Sequence, residues 1–480
     1  MPMNFEATFF DSIVKRTLFY DPKIEIKPVH LANGLFRAVC GYYADSKNQH
    51  DVIHPRKNIQ RDDIPRPVRE MLSTLLGADG TLYGTPNFSS YTLSHVTHIT
   101  SDNHDRKAGE WLRAILEHGE EPSPAFELLR ELLMEEDTKR SDELSTLTLP
   151  ISPTLEHLKV ASRKLTQEVW PTSLRIDQAT SEFADPLINA IRAGFDTLAR
   201  YDAPMAGFGG KLDTLRRLTL WGCFTLYLHL TNTGRQENTR LVPILFCMDA
   251  ARMPTLKQAS IQSYEWVGRS IARFFRHQIR EQIRQLEEDG QEGLWDDAKN
   301  RQRVTTMQWK LKRGGIKSQR TDKDNVDDFL NFYDSYCSET ANQSPSEAFA
   351  NAAADLLDRI LSSTPADVAR LLGVRIGLLT ASRAQTAKLY APEADLLEVL
   401  VRASVPLETE WKLQDLAMHW ADRYGILFGV LGDENQRLAE WGISTVAGNE
   451  YQTNTERLVE VLEWCGYARR YADGVVLVSV

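Results

Sequence analysis

Apolar residues return every three or four positions through most of this chain, the interval that puts side chains on one face of an α-helix. That spacing predicts helices over 111–118, 126–136, 155–169, 186–201 and 211–230, then over 326–336, 346–362, 365–372 and 378–387. A long helix is expected over 256–288. Its apolar stripe is Ile261, Tyr264, Val267, Ile271, Phe274, Phe275, Gln278 and Ile279, and a second stripe carries Arg269, Arg273, Arg276, Arg280 and Arg284. Gly290 and Gly293 end it.

Elsewhere the period fails. Prolines 22, 28, 55, 65, 67 and 86 and glycines 77, 80 and 84 break up 5–100, which predicts short strands and loops there, with 35–43 as a buried element. The continuous apolar run 241–249 reads as a buried strand ending in Asp249. A linker is expected at 141–153, and flexible chain at 300–325, where Gly314 and Gly315 interrupt a polar, basic stretch.

The end of the chain is the most regular part. Helices over 393–403 and 413–424 precede a capping box, Thr453 to Glu456, before Leu458, Val459, Val461, Leu462 and Cys465. Strand-like runs at 467–471 and 475–480 then flank Asp473-Gly474, a favoured hairpin turn. Helix, helix, capped helix and hairpin resemble a winged-helix domain. The expected fold is mainly α with small β elements and multi-domain: a mixed α/β domain at 1–145, a helical bundle at 154–390, and the winged-helix-like domain at 391–480.

Composition narrows the class. At 480 residues the chain exceeds the size at which one core keeps growing, and 42% hydrophobic with 25% charged residues suits a globular protein. No apolar run of about 18 residues or basic leader is present, so a cytoplasmic protein without a membrane span is expected. Cys40, Cys223, Cys247, Cys337 and Cys465 are odd in number and far apart, which predicts reduced thiols in apolar surroundings.

Charge is segregated. Nine basic residues and one acid, Asp322, occupy 299–323. Arg301, Arg303, Lys310, Lys312, Arg313, Lys317 and Arg320 are therefore candidate phosphate contacts, with Trp309 as a base-stacking platform. A solvated loop pairing with an acidic neighbour explains the same block equally well. From 391 to 480 the balance reverses to 7 Lys plus Arg against 15 Asp plus Glu. Glu456, Glu460 and Glu463 outweigh Arg457 on the capped helix, and only Arg469 and Arg470 favour DNA, so protein docking is expected there.

Catalytic signatures are thin, and no cofactor is expected. His50, His54, His95, His98 and His104 bunch together without the cysteines or glutamate of zinc motifs. Asp249, with Glu265 half a helix on, could hold magnesium, but a capping role before Pro254 explains it more simply. Gly207-Phe208-Gly209-Gly210-Lys211 lacks the Walker spacing and the following Ser or Thr, and no Gly-x-Ser-x-Gly occurs.

The run 241–249, then Ala259-Ser260 to Tyr264 opening an arginine-striped helix, then an acidic winged-helix-like end resembles accessory subunits encoded in bacterial anti-phage defence islands. The resemblance implies a non-enzymatic subunit acting beside an ATPase, methyltransferase or nuclease, with DNA or RNA met through the basic stretch. Two alternatives stand beside it: a divergent metal-dependent nuclease using Asp249, and a winged-helix DNA-binding regulator.

Overall fold

The computed structural model describes residues 19, 26–44, 104–117, 121–134, 160–162, 186–205, 210–235, 240–288, 295–309, 321–339, 343–361, 364–380 and 387–480. Among them the fold is mainly helical with three small sheets, as the periodicity predicts.

Residues 28–40 depart from the strands and loops expected there. Pro28–Cys40 forms helix α1, because Pro28 sits at the first turn, where its missing N–H costs nothing. Gly41, at φ 71°, ends the helix in the left-handed conformation. Strand β1 (Tyr42–Ala44) follows. Helix α2 (Ala108–Glu117) crosses α1 so closely that a Cβ on Gly109 would lie 2.1 Å from the backbone of Gly34. Glycine at both positions permits this approach. The crossing also buries an ion pair, Arg37 to Asp105 at 3.1 Å, with both side chains inaccessible to solvent.

Helix α3 (Pro124–Met134) packs on α1. Strand β2 (Val160–Ser162) pairs antiparallel with β1, so these three residues form a strand where a helix was expected. Helices α4 (Pro186–Met205) and α5 (Lys211–Asn232) then build the centre. From Arg217 to Asn232 every residue of α5 is buried. A helix apolar all round belongs inside a fold, and α5 touches α1, α4 and three later helices.

Strand β3 (Ile244–Leu245) is buried, as the apolar run predicts. Helix α6 (Pro254–Glu288) is the expected long helix. Helices α7 (Asp297–Thr306), α8 (Asp322–Glu339) and α9 (Pro345–Ile360) form a group that packs on α6 through α9, and α10 (Pro365–Arg375) joins α5 and α6. Part of the stretch expected to be flexible is thus the helix α7. Asp296 starts it by accepting the N–H of Lys299 at 2.7 Å.

The helix expected over 378–387 does not form at its start. Gly377, at φ 69°, turns the chain, and Leu379 bridges Tyr390 antiparallel. Tyr390 lies beside Phe246 in parallel, while β3 pairs in parallel with strand β5 (Ile426–Leu427). The expected domain boundary between 390 and 391 comes directly after this pairing. Tyr390 is fully buried and its hydroxyl lies 3.0 Å from that of Tyr227.

Around that point the chain forms α11 (Ala394–Ser404), β4 (Glu410–Lys412), α12 (Leu413–Tyr424), β5, α13 (Glu434–Ala439), α14 (Gly448–Trp464), β6 (Ala468–Arg470) and β7 (Val476–Ser479). Strands β4, β7 and β6 make an antiparallel sheet in that order, with Ala468 opposite Val478 and Trp411 also opposite Val478. Gly474, at φ 82°, turns the β6–β7 hairpin, as Asp-Gly predicts.

One cluster of buried apolar side chains reaches from Phe19 to Val478, so described parts of all three expected domains share a core. Ion pairs reinforce the join between α11 and the bundle. Glu398 lies 3.4 Å from Arg216, 3.5 Å from Arg217 and 3.3 Å from Arg402, and Arg217 grips the fully buried Asp202 at 2.5 Å. Among the described residues no helix is long and apolar enough to cross a membrane.

Candidate functional site

The basic stretch divides into a spoken-for part and an undescribed part. Arg301 donates to both carboxylate oxygens of Asp297 at 3.2 Å and to Asp334 at 2.5 Å, and lies over the Tyr333 ring. Arg303 donates to Asn300 at 2.8 Å and stacks 4.1 Å from the Trp295 ring centre. A phosphate would have to displace these partners. The stacking role expected of Trp309 is corrected: the indole is 4% exposed, donates to the carbonyl of Val304 at 3.1 Å and meets Phe329 edge-on. Burial of so large an apolar ring in the α7–α9 core outweighs the polarity of its neighbours in sequence. Lys310, Lys312, Arg313, Lys317 and Arg320 lie outside the described residues.

The arginine stripe of α6 is also largely matched. Arg269 faces Glu265 at 3.6 Å, Arg276 faces Asp355 at 2.7 Å, and Arg284 faces Glu281 at 2.9 Å. Arg280 donates to Asn351 at 3.0 Å, and Arg273 joins Arg269 over the ring of Trp266. Arg276 and Asp355 form one wall of a cleft of about 290 Å³ between α6, α9 and α10. Its floor is apolar, from Ile271, Phe275, Leu357 and Leu361, and the Tyr336 hydroxyl anchors Asp355 at 2.5 Å.

Helix α14 carries the acidic candidates. Gln452, Glu456, Glu460 and Trp464 are exposed at intervals of four, which makes one ridge along its outer side. Glu460 pairs with Arg457 at 2.6 Å and Glu463 with Arg470 at 3.6 Å, so the cations of this face are held by its own acids. The expected capping box is corrected. The helix begins at Gly448, and Thr453, inside it, donates its hydroxyl to the carbonyl of Asn449 at 3.0 Å.

Inward, α14 seals the strand ends where an α/β protein would hold a ligand. Asn454, fully buried, donates to the carbonyls of Phe246 and Phe428 at 3.0 Å each and accepts the N–H of Met248 at 2.8 Å. The neighbouring Asp249 accepts the N–H of Ala251 at 3.3 Å and lies 3.5 Å from Arg252, the turn-closing role that its position before Pro254 suggested. Glu265 is occupied by Arg269. Among the described residues no three His, Cys, Asp or Glu side chains are placed to hold a metal ion.

The remaining candidates add little chemistry. His104 stacks on His30 at 4.9 Å, while His50, His54, His95 and His98 lie outside the described residues. So do Gly207 to Gly209; Gly210 begins α5 as its N-cap. Cys40, Cys223 and Cys247 are buried, and burial pushes the Cys40 and Cys247 thiols up to about 12, which leaves them poor nucleophiles. Cys337, however, is exposed and Cys465 half-buried.

Sequence reasoning missed Trp464, which is 83% exposed. The signal was its place four residues after Glu460, on the polar side of the helix. Compared with known proteins, the sequence matches no protein-family model and no curated protein.

Proposed function

We propose that this chain is a non-catalytic subunit of a multi-protein assembly, of the kind encoded in bacterial anti-phage defence islands. In this reading residues 391–480 are a winged helix that docks a protein, and the stretch 310–320 contacts nucleic acid. Helix α11, strand β4, helices α12 and α14 and the β6–β7 hairpin come in winged-helix order, with β5 and α13 inserted between α12 and α14, and β7 lies between β4 and β6 as in that fold.

The observation that carries protein docking is the outer ridge of α14. A helix that reads DNA needs cations or amides toward the groove. Here Glu456 and Glu460 are exposed, and Arg457 and Arg470 are paired with Glu460 and Glu463. Such a face repels phosphate and suits a cationic protein. The nucleic-acid half draws its support from five basic residues and no acid in 310–320.

Co-expression of the full chain with the proteins encoded beside it, followed by gel filtration, tests the assembly role. A stable complex of fixed stoichiometry is expected; elution of the chain alone in every combination rejects it. Retention on DNA or RNA at low salt tests the second half. The R313E/K317E/R320E variant should lose it, and unchanged retention removes that contact.

A further inference from the structure

Trp464 stands apart from every other described tryptophan. It is 83% exposed, whereas the rest are buried or half-buried. The other large apolar side chains exposed among the described residues are Leu407, Met418, Tyr471 and Val475, and they too belong to 391–480. Trp464 has by far the largest exposed fraction of the five, and tryptophan is among the side chains most often found to anchor an interaction face. Trp464 continues the ridge of Glu456 and Glu460 at the same four-residue interval, and it ends α14 where Arg470 of the adjoining strand meets Glu463.

Charge decides among occupants. Residues 391–480 hold 7 basic and 15 acidic side chains, a balance that disfavours a phosphate backbone and a second copy of this region, and on the ridge itself Arg457 and Arg470 offset Glu460 and Glu463 but not Glu456. We infer that the outer ridge of α14 is the docking face for a basic protein segment whose lysines or arginines meet Glu456 and Glu460 and whose aliphatic or aromatic side chain covers the indole of Trp464. This rests on the protein-docking reading above and names its partner chemistry. A cation set against the ring would add to the contact, since indole faces attract ammonium and guanidinium groups.

The test uses the full chain and two amphipathic 14-residue helical peptides of about that length, one of leucine and lysine, the other with glutamate in place of lysine. Binding is read by fluorescence anisotropy at near-physiological salt. The lysine peptide should bind, W464A and E456K/E460K should each weaken it about tenfold, W464F should recover part of the loss, and the glutamate peptide should not bind. Equal binding by W464A and the unaltered chain, or equal binding of both peptides, overturns the inference. So does binding of a single-stranded DNA probe that W464A abolishes. Because Trp464 is on the surface, W464A should leave the fold intact, which an unchanged thermal midpoint verifies. A chain that co-elutes with its neighbours yet ignores Trp464 keeps the assembly role and loses this docking face.

Discussion

Glu450 caps a helix it does not belong to: its carboxylate accepts the backbone N–H of Leu256 at 2.8 Å and that of Thr255 at 3.3 Å, at the start of α6. The first N–H groups of a helix have no partner within it, and a negative charge there also opposes the positive end of the helix dipole. Glu450 is 8% exposed, so water cannot easily take over. Glu450→Ala should lower unfolding free energy by about 1–3 kcal/mol, with Glu450→Gln intermediate, read from urea midpoints at unchanged slope.

Asp105 offers a larger effect. It is the buried partner of Arg37 and also accepts the N–H of Gly109 at 3.1 Å. Removing one member of such a pair strands the other charge, so Asp105→Ala should cost about 3–5 kcal/mol. An apolar replacement of both, R37M/D105L, should recover much of that loss; a double variant as unstable as the single one would contradict this account.

Trp309 separates a structural role from a nucleic-acid role. Its ring fills the space beside Phe329, so Trp309→Ala should destabilise by about 3–5 kcal/mol. Retention on nucleic acid, measured below the melting transition, should stay as it was. Loss of retention with normal stability would restore the base-stacking role.

A pH dependence is expected at His419. Burial, helped by nearby Arg423, pushes its imidazole down to about 4 from the usual 6.5. Its folded pKa lies below its unfolded one, so the unfolded chain takes up the proton first as pH falls. The stability that neutral His419 contributes is complete above about 6.5 and is lost between there and about 4. His419 is only partly buried, and solvent screening reduces the effect to on the order of 1 kcal/mol. The difference in urea midpoint between the unaltered chain and His419→Gln should change across that window and be flat above it.

Most of the helices were legible because a half-buried helix writes its face into the sequence. The failures have specific causes. Pro28 reads as a breaker, yet at the first turn it starts α1. Leu379 continues an apolar rhythm, yet Gly377 turns the chain and Tyr390 offers a strand partner. Thr453 and Glu456 have capping spacing, but α14 already begins at Gly448, where Ala447 donates its N–H to the Thr255 hydroxyl, a residue distant in sequence. For the candidate faces, spacing put Glu456 and Glu460 on the outside, and composition could not tell that Arg301 and Arg303 have partners or that Trp309 points inward.

Strand β3 sits between two neighbours that come much later in the chain, Tyr390 on one flank and Ile426 on the other. Ile244 pairs with Ile426 and Phe246 with Tyr390, so neither pairing can form until residues far along the chain have left the ribosome. An apolar run whose strand partners arrive so late is open to wrong pairing in the meantime.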